Sequence, residues 1–195
     1  MGRPLLSTLV FLGALQALPH ATLQAQDADH QKRCAQAVDL FKSKDAHLEK
    51  YFKDAVGYAI FPSVGKGAFI VGGAAGTGCL YQGGAIIGQA KLAQVTIGLQ
   101  LGGQEYAEVV FFQNEDAIDS FKSNSLELSA QVSAVAASSG ASANANYRLG
   151  VLVFTLAKTG LMYEASVGGQ KFSFKPLAKA EQKGDEKSPE EKKPD

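Results

Sequence analysis

Tryptophan is absent, cysteine occurs twice, and no histidine follows His47. A hydrolytic triad needs a nucleophile oriented by His or Lys, and a zinc site needs several His, Cys or carboxylate ligands at fixed spacing. Cys34 and Cys79 cannot make a metal site alone, and His30 and His47 lie at no zinc-ligand spacing from them. Charge is scarce in the middle of the chain: between Val56 and Phe112 the charged residues are Lys66, Lys91, Glu105 and Glu108. Ser63 near Lys66 can be written as a Ser–Lys dyad, but one neighbourhood of common residues does not define a nucleophile. Glu105 and Glu108 read as exposed turn and edge residues. With no catalytic constellation and no cofactor or metal motif, the chain reads as a non-enzyme. A basic excess is also missing: 19 basic residues stand against 19 acidic ones, so no global field points to nucleic acid.

Glycine, by contrast, is abundant. The stretch "GKGAFIVGGAAGTGCLYQGG", residues 65–84, holds eight glycines in twenty positions and one charged side chain, Lys66. A phosphate loop needs Gly-Lys-Ser/Thr after fixed glycines, and a dinucleotide loop needs G-x-G-x-x-G opening a helix; neither spacing is present. Gly-rich linkers carry Ser or charge, whereas Phe69, Ile70, Val71, Leu80 and Tyr81 sit among these glycines. The stretch therefore reads as strands, and the glycines as places where a sheet bends or another backbone comes close. Gly76 and Gly78 are expected to serve close packing or backbone conformation rather than a ligand.

The first residues follow the order of a secretory signal peptide: Arg3, the apolar run "LLSTLVFLGALQAL", then "PHATLQAQDAD". Residues 1–25 are read as this leader, since a run of 14 residues falls short of the roughly 20 needed to span a bilayer. The expected location is therefore outside the cytoplasm, periplasmic or secreted. Residues 26–177 form one domain, and 178–195, densely charged and without large apolar residues, read as a disordered tail. Export permits a disulfide between Cys34 and Cys79. Two small buried apolar side chains are the favoured reading.

Periodicity supplies the elements. Cys34, Ala37, Val38 and Phe41, then Leu48, Tyr51, Phe52 and Ala55, recur at helical spacing and predict two short amphipathic helices. Short apolar runs follow, among them "AQVTIGLQL", whose period of two marks a half-buried strand. "NEDAIDSFK" predicts a helix with Asn114 as N-cap and acids in its first turn. "LELSAQVSAV", "RLGVLVFTL", "LMYEASV" and "KFSF" read as further strands. The class is α+β: a strongly coiled antiparallel sheet of about eight strands, or a barrel-like β domain, with N-terminal amphipathic helices and one inserted helix.

In this order and spacing, "YAIF", the Gly-rich strands, "GLQLGGQ", "FFQNEDAIDSF", "SLELSAQVSA" and "LAKTGLMYEASV" resemble the SYLF family, lipid-binding and actin-associated in eukaryotic membrane trafficking and also found in exported bacterial proteins. The resemblance covers about His30 to Phe174 and implies binding of acidic phospholipids without catalysis. It places basic residues near an amphipathic N-terminal segment, and the matching positions are Lys50, Lys53 and Lys66. An exported protein would not meet cytosolic actin, so lipid-surface binding is the property carried over. The expected partner is a phospholipid membrane surface. The alternative is a structural envelope protein that self-associates as a homo-oligomer through strand edges.

Overall fold

A computed structural model of the chain describes residues 20–68, 71–97, 104–128, 134–138, 140–159 and 167–177. The tail from residue 178 lies outside the described residues, and so does the proposed leader except for its last six positions, which begin the first helix. Among the described residues three helices and seven strands follow in the order α1 (His20–Lys44), α2 (Leu48–Asp54), β1 (Gly57–Ala68), β2 (Val71–Gln82), β3 (Ala85–Ile97), β4 (Gln104–Phe112), α3 (Glu115–Lys122), β5 (Ala134–Ala136), β6 (Val151–Thr159) and β7 (Gln170–Pro176). The first helix is longer than its apolar spacing suggested. The expected strand "LMYEASV" falls outside the described residues except for Val167.

One sheet contains all seven strands in the order β5-β6-β4-β1-β2-β3-β7. It is mixed rather than wholly antiparallel: β5 runs parallel to β6, because residues 137–150 form a connection long enough to carry the chain back to the same end. The order ends at β5 and β7 without closing, so the described strands do not make a closed barrel. They nonetheless curl. Glu108 on β4 accepts a hydrogen bond from Gln170 Nε2 on β7 at 2.9 Å, although four strand spacings separate β4 from β7 in the sheet, about 19 Å if it were flat.

Residue choice explains the curl. "YAIF" is not a separate strand but the start of β1, and the register of β1 against both neighbours shifts around Pro62. Proline has no N–H for the ladder and is accommodated at such a bulge. The extra residue resets the alternation, so Ile60 packs toward α1 and α2 while Val64 packs inside the curl. A Cβ on Gly78 would stand 2.1 Å from the Ile60 carbonyl oxygen, and one on Gly88 would stand 2.3 Å from the Phe174 ring. At the β2–β3 hairpin, Gly83 and Gly84 have φ of 60° and 80°, which a two-residue turn with left-handed central positions demands. No anion loop is formed by these glycines: Gly76 and Gly78 face neighbouring backbone. Gly78→Ala should therefore overpack the β1–β2 contact and lower stability by about 1–3 kcal/mol, read as a fall of several degrees in Tm. An unchanged Tm would show that the close approach relaxes freely.

Each face of the sheet carries a packed core, although the helices leave part of the outer face exposed. Inside the curl, Phe61, Leu80, Leu92, Phe112 and Phe172 pack with Ile118 and Phe121 of α3. On the other face Ile60, Cys79, Phe111 and Phe154 pack against Cys34 and Phe41 of α1 and Leu48 and Tyr51 of α2. This two-sided burial is why "AEVVFF" reads as an uninterrupted apolar run: Val110 and Phe112 serve one core, Ala107, Val109 and Phe111 the other. Helix α3 starts as its sequence dictates, with the Asn114 side chain accepting from the Ala117 N–H at 3.0 Å and Glu115 and Asp116 in the first turn.

Candidate membrane-binding surface

Helix α2 is held by its apolar side and presents lysines on the other. Leu48 and Tyr51 are buried, and the Tyr51 hydroxyl reaches the carbonyls of Ser142 at 3.0 Å and Ala145 at 2.7 Å. Those contacts tie the connection between β5 and β6 onto the helix. Asp45, buried at the α1–α2 corner, completes the joint by accepting from the backbone N–H of Ser142 at 2.9 Å and of His47 at 3.0 Å. Burial raises the pKa of this carboxyl, but the hydrogen bonds from Ser142 and His47 outweigh it and hold the group well below the usual carboxylate range.

Of the three lysines expected to meet lipid, Lys50 and Lys53 are brought together as exposed residues one turn apart on α2. The Lys50 ammonium lies 4.7 Å from the Tyr51 ring centroid and donates to the Ala143 carbonyl at 3.3 Å. On α1, Lys42 stands over the Phe52 ring at 5.3 Å. Lys66 is carried elsewhere. Its backbone pairs with Ala74 and Gln104, at the opposite end of β1 from Gly57, and its side chain lies outside the described residues.

The Ser63–Lys66 dyad finds no support in the position of the hydroxyl. Ser63 Oγ donates to Glu105 Oε1 at 2.8 Å, and Lys158 approaches the same carboxylate at 3.4 Å. Hydrogen bonds from Ser63 and Lys158 lower the pKa of Glu105, which makes it a poor base. Glu105 is a half-exposed ion-pair residue, close to its sequence reading. Glu108 is not: it is fully buried inside the curl, because the alternation of β4 turns it toward β7.

Cys34 and Cys79 are buried, as expected, and they are also joined: the structure contains a Cys34–Cys79 disulfide. Sequence separation hid this pairing, which the docking of α1 on β2 creates. The fold also gathers His30, whose Nε2 lies 3.9 Å from Cys34 Sγ and 3.0 Å from the Gly78 carbonyl. The four-residue spacing of His30 and Cys34 puts them on one face of α1, but nothing in the linear sequence brought Cys79 to them. Both sulfurs are committed to the disulfide.

A groove of about 690 Å³ opens on the sheet where the helices end. Ser63, Thr77, Lys91 and Ser173 are register partners along one row across β1, β2, β3 and β7. Gly65, Ala75, Ala93 and Lys171 form the next row. All eight are exposed and line the groove. Sequence reasoning passed over Lys91 and Lys171 because only cross-strand pairing brings them together.

Residues 93–182 match the Ysc84 family, described as Las17-binding protein actin regulator. Beta cell expansion factor A of Aeromonas veronii is 26% identical over 82 residues, a match covering 42% of this chain and 31% of that protein. This chain thus spans under a third of its relative's length. The family segment begins within β3 and includes Lys171 but not Lys50, Lys53 or Lys66. The family matched by residues 93–182, from β3 through β7, is thus the SYLF (Ysc84) family that the sequence motifs resemble.

Proposed function

We propose that the protein is an exported, non-enzymatic module of the cell envelope that binds acidic phospholipids at a membrane surface, with Lys50, Lys53 and Lys66 as cationic contacts. The observation that carries this reading is α2: a helix clamped by Leu48, Tyr51 and the Tyr51 hydroxyl, with Lys50 and Lys53 left outward. The family match over residues 93–182 supports the lipid class. The disulfide supports an oxidising compartment. Each lysine near an anionic leaflet contributes about 1 kcal/mol, so Lys50 and Lys53 together account for roughly a 30-fold gain in partitioning.

Reversing both charges in a Lys50→Glu, Lys53→Glu variant should therefore lower co-sedimentation with phosphatidylglycerol vesicles by at least about 30-fold at low salt, with Tm unchanged. A folded variant that pellets like wild type would remove α2 from the contact surface. The competing reading, self-association through strand edges, draws support from the edge position of β7. Lys171 and Lys175 on that strand oppose it, since charges on an edge deter pairing. Light scattering after size exclusion distinguishes the two: the lipid reading expects a monomer in solution, the other a dimer or larger.

A further inference from the structure

Helices α1 and α2 cover only part of the sheet face on which they sit. Their apolar side chains meet Tyr58 and Ile60 of β1 and Cys79 and Tyr81 of β2. Past the bulge at Pro62 the same face continues through Ser63 and Gly65, and there no other described residue covers it. Its side chains are small, so the floor of the groove lies close to the backbone. Gly76 belongs to that floor, and a Cβ there would stand 2.9 Å from the Ser63 carbonyl oxygen.

Two cations flank this floor. Lys91 on β3 pairs with Ser173, and Lys171 on β7 pairs with Ala93, so the lysines are diagonal neighbours on adjacent strands. Such positions lie within reach of one another for long side chains, and like charges placed there repel. Lys171 has one acid nearby, Glu127 at 3.5 Å, with both side chains mostly exposed. Among the described residues Lys91 makes no ion pair. An anion held between the two ammonium groups would relieve the repulsion, and the hydroxyls of Thr77 and Ser173 flank Lys91 in the same row as further donors. A phosphodiester fits this set, offering oxygens to two cations and two hydroxyls at once.

Among the described residues the groove is open to solvent rather than enclosed. One phosphate free in solution would be held weakly there. Many phosphates presented on a bilayer would be held better, because the surface keeps their local concentration at the groove high. We propose that the groove seats the headgroup phosphate of an anionic phospholipid, with Lys91 and Lys171 on the phosphate oxygens and Thr77 and Ser173 donating hydroxyl hydrogen bonds. This rests on the lipid-surface reading above and adds a defined headgroup site to it.

Vesicle co-sedimentation with phosphatidylglycerol tests it on four folded proteins: wild type, Lys91→Gln with Lys171→Gln, Thr77→Val with Ser173→Ala, and Lys50→Gln with Lys53→Gln. Neutralising the groove lysines should reduce partitioning about 10-fold or more. Removing the hydroxyls at constant charge should reduce it severalfold, which a diffuse surface-charge effect would not do. If wild type pellets and the groove-lysine variant pellets equally, the groove is not the headgroup site, while the lipid reading stands. Unaltered binding by the hydroxyl variant would likewise overturn a built site in favour of a simple charged surface. If wild type fails to pellet at all, the lipid reading falls and this site with it. Should 10 mM inorganic phosphate, on the order of a weak single-site affinity, raise the Tm of wild type but not of the groove-lysine variant while vesicles fail to bind, the site serves soluble phosphate and the lipid assignment is wrong.

Discussion

A Glu108→Gln variant should be more stable than wild type at pH 8 and should lose most of the pH dependence that wild type shows between pH 5 and pH 8. Glu108 is completely buried between β4 and β7; its Oε2 accepts from Gln170 Nε2, and its Oε1 has no partner among the described residues. Burial pushes the carboxyl up from 4.5 to about 8, against a smaller lowering by the Gln170 hydrogen bond. The folded state thus keeps a proton that the unfolded chain releases above its ordinary pKa. As pH rises through this window the unfolded state gains, and the protein loses about 1.4 kcal/mol per pH unit from this one group. The stabilisation is fully present below pH 4.5, declines above it, and is gone above about 8. Over the window the loss is on the order of 4 kcal/mol, or about 10 °C in Tm. Glutamine keeps the acceptor for Gln170 Nε2 and offers an amide to Gln170 Oε1, itself unpartnered among the described residues. Thermal melts of both proteins from pH 5 to pH 8 check this, and parallel pH profiles would show that Glu108 titrates normally.

Removing the disulfide should have an effect of similar size. Cys34 and Cys79 close a loop with a sequence separation of 45, for which constraint of the unfolded chain contributes about 4 kcal/mol. The loop contains the end of α1, all of α2 and β1, and most of β2, so its loss loosens the docking of the helices on the sheet. The Cys34→Ala, Cys79→Ala variant should melt about 10 °C lower than oxidised wild type. A dithiol reductant able to reach the buried bond should bring wild type to the same value. Equal melting of oxidised wild type and variant would mean that helix packing alone fixes this joint.

What could be read from the sequence was local. Asn114 with Glu115 and Asp116 announced α3, because a cap and a first turn are written within four residues. The helical spacing of Cys34, Ala37 and Phe41 found the buried side of α1, and all three are in the core. What escaped depended on distant partners. A period-two reading could show that the residues of β4 alternate, but not that both faces would be covered, nor that Glu108 would meet Gln170 from 62 positions away. The parallel pairing of β5 with β6 left no signature in three residues of small side chains. The distance of Lys66 from Lys50 and Lys53 was hidden for the opposite reason: it is close to them in sequence, yet the extended backbone of β1 carries it toward the other end of the sheet, on the order of 3.3 Å for every residue. The Lys91–Lys171 groove, built from strands eighty residues apart, is visible only once β3 and β7 are paired.

Binding of the full-length wild-type protein to vesicles of defined composition tests the central claim most directly. At 0.1 M salt, phosphatidylglycerol vesicles should pellet the protein and phosphatidylcholine vesicles should leave it in the supernatant. At about 1 M salt, where the Debye length shrinks from about 10 Å to about 3 Å, the phosphatidylglycerol pellet should lose most of its protein. Equal binding to both lipids, or no binding to phosphatidylglycerol at low salt, would contradict the assignment of this protein to acidic membrane surfaces.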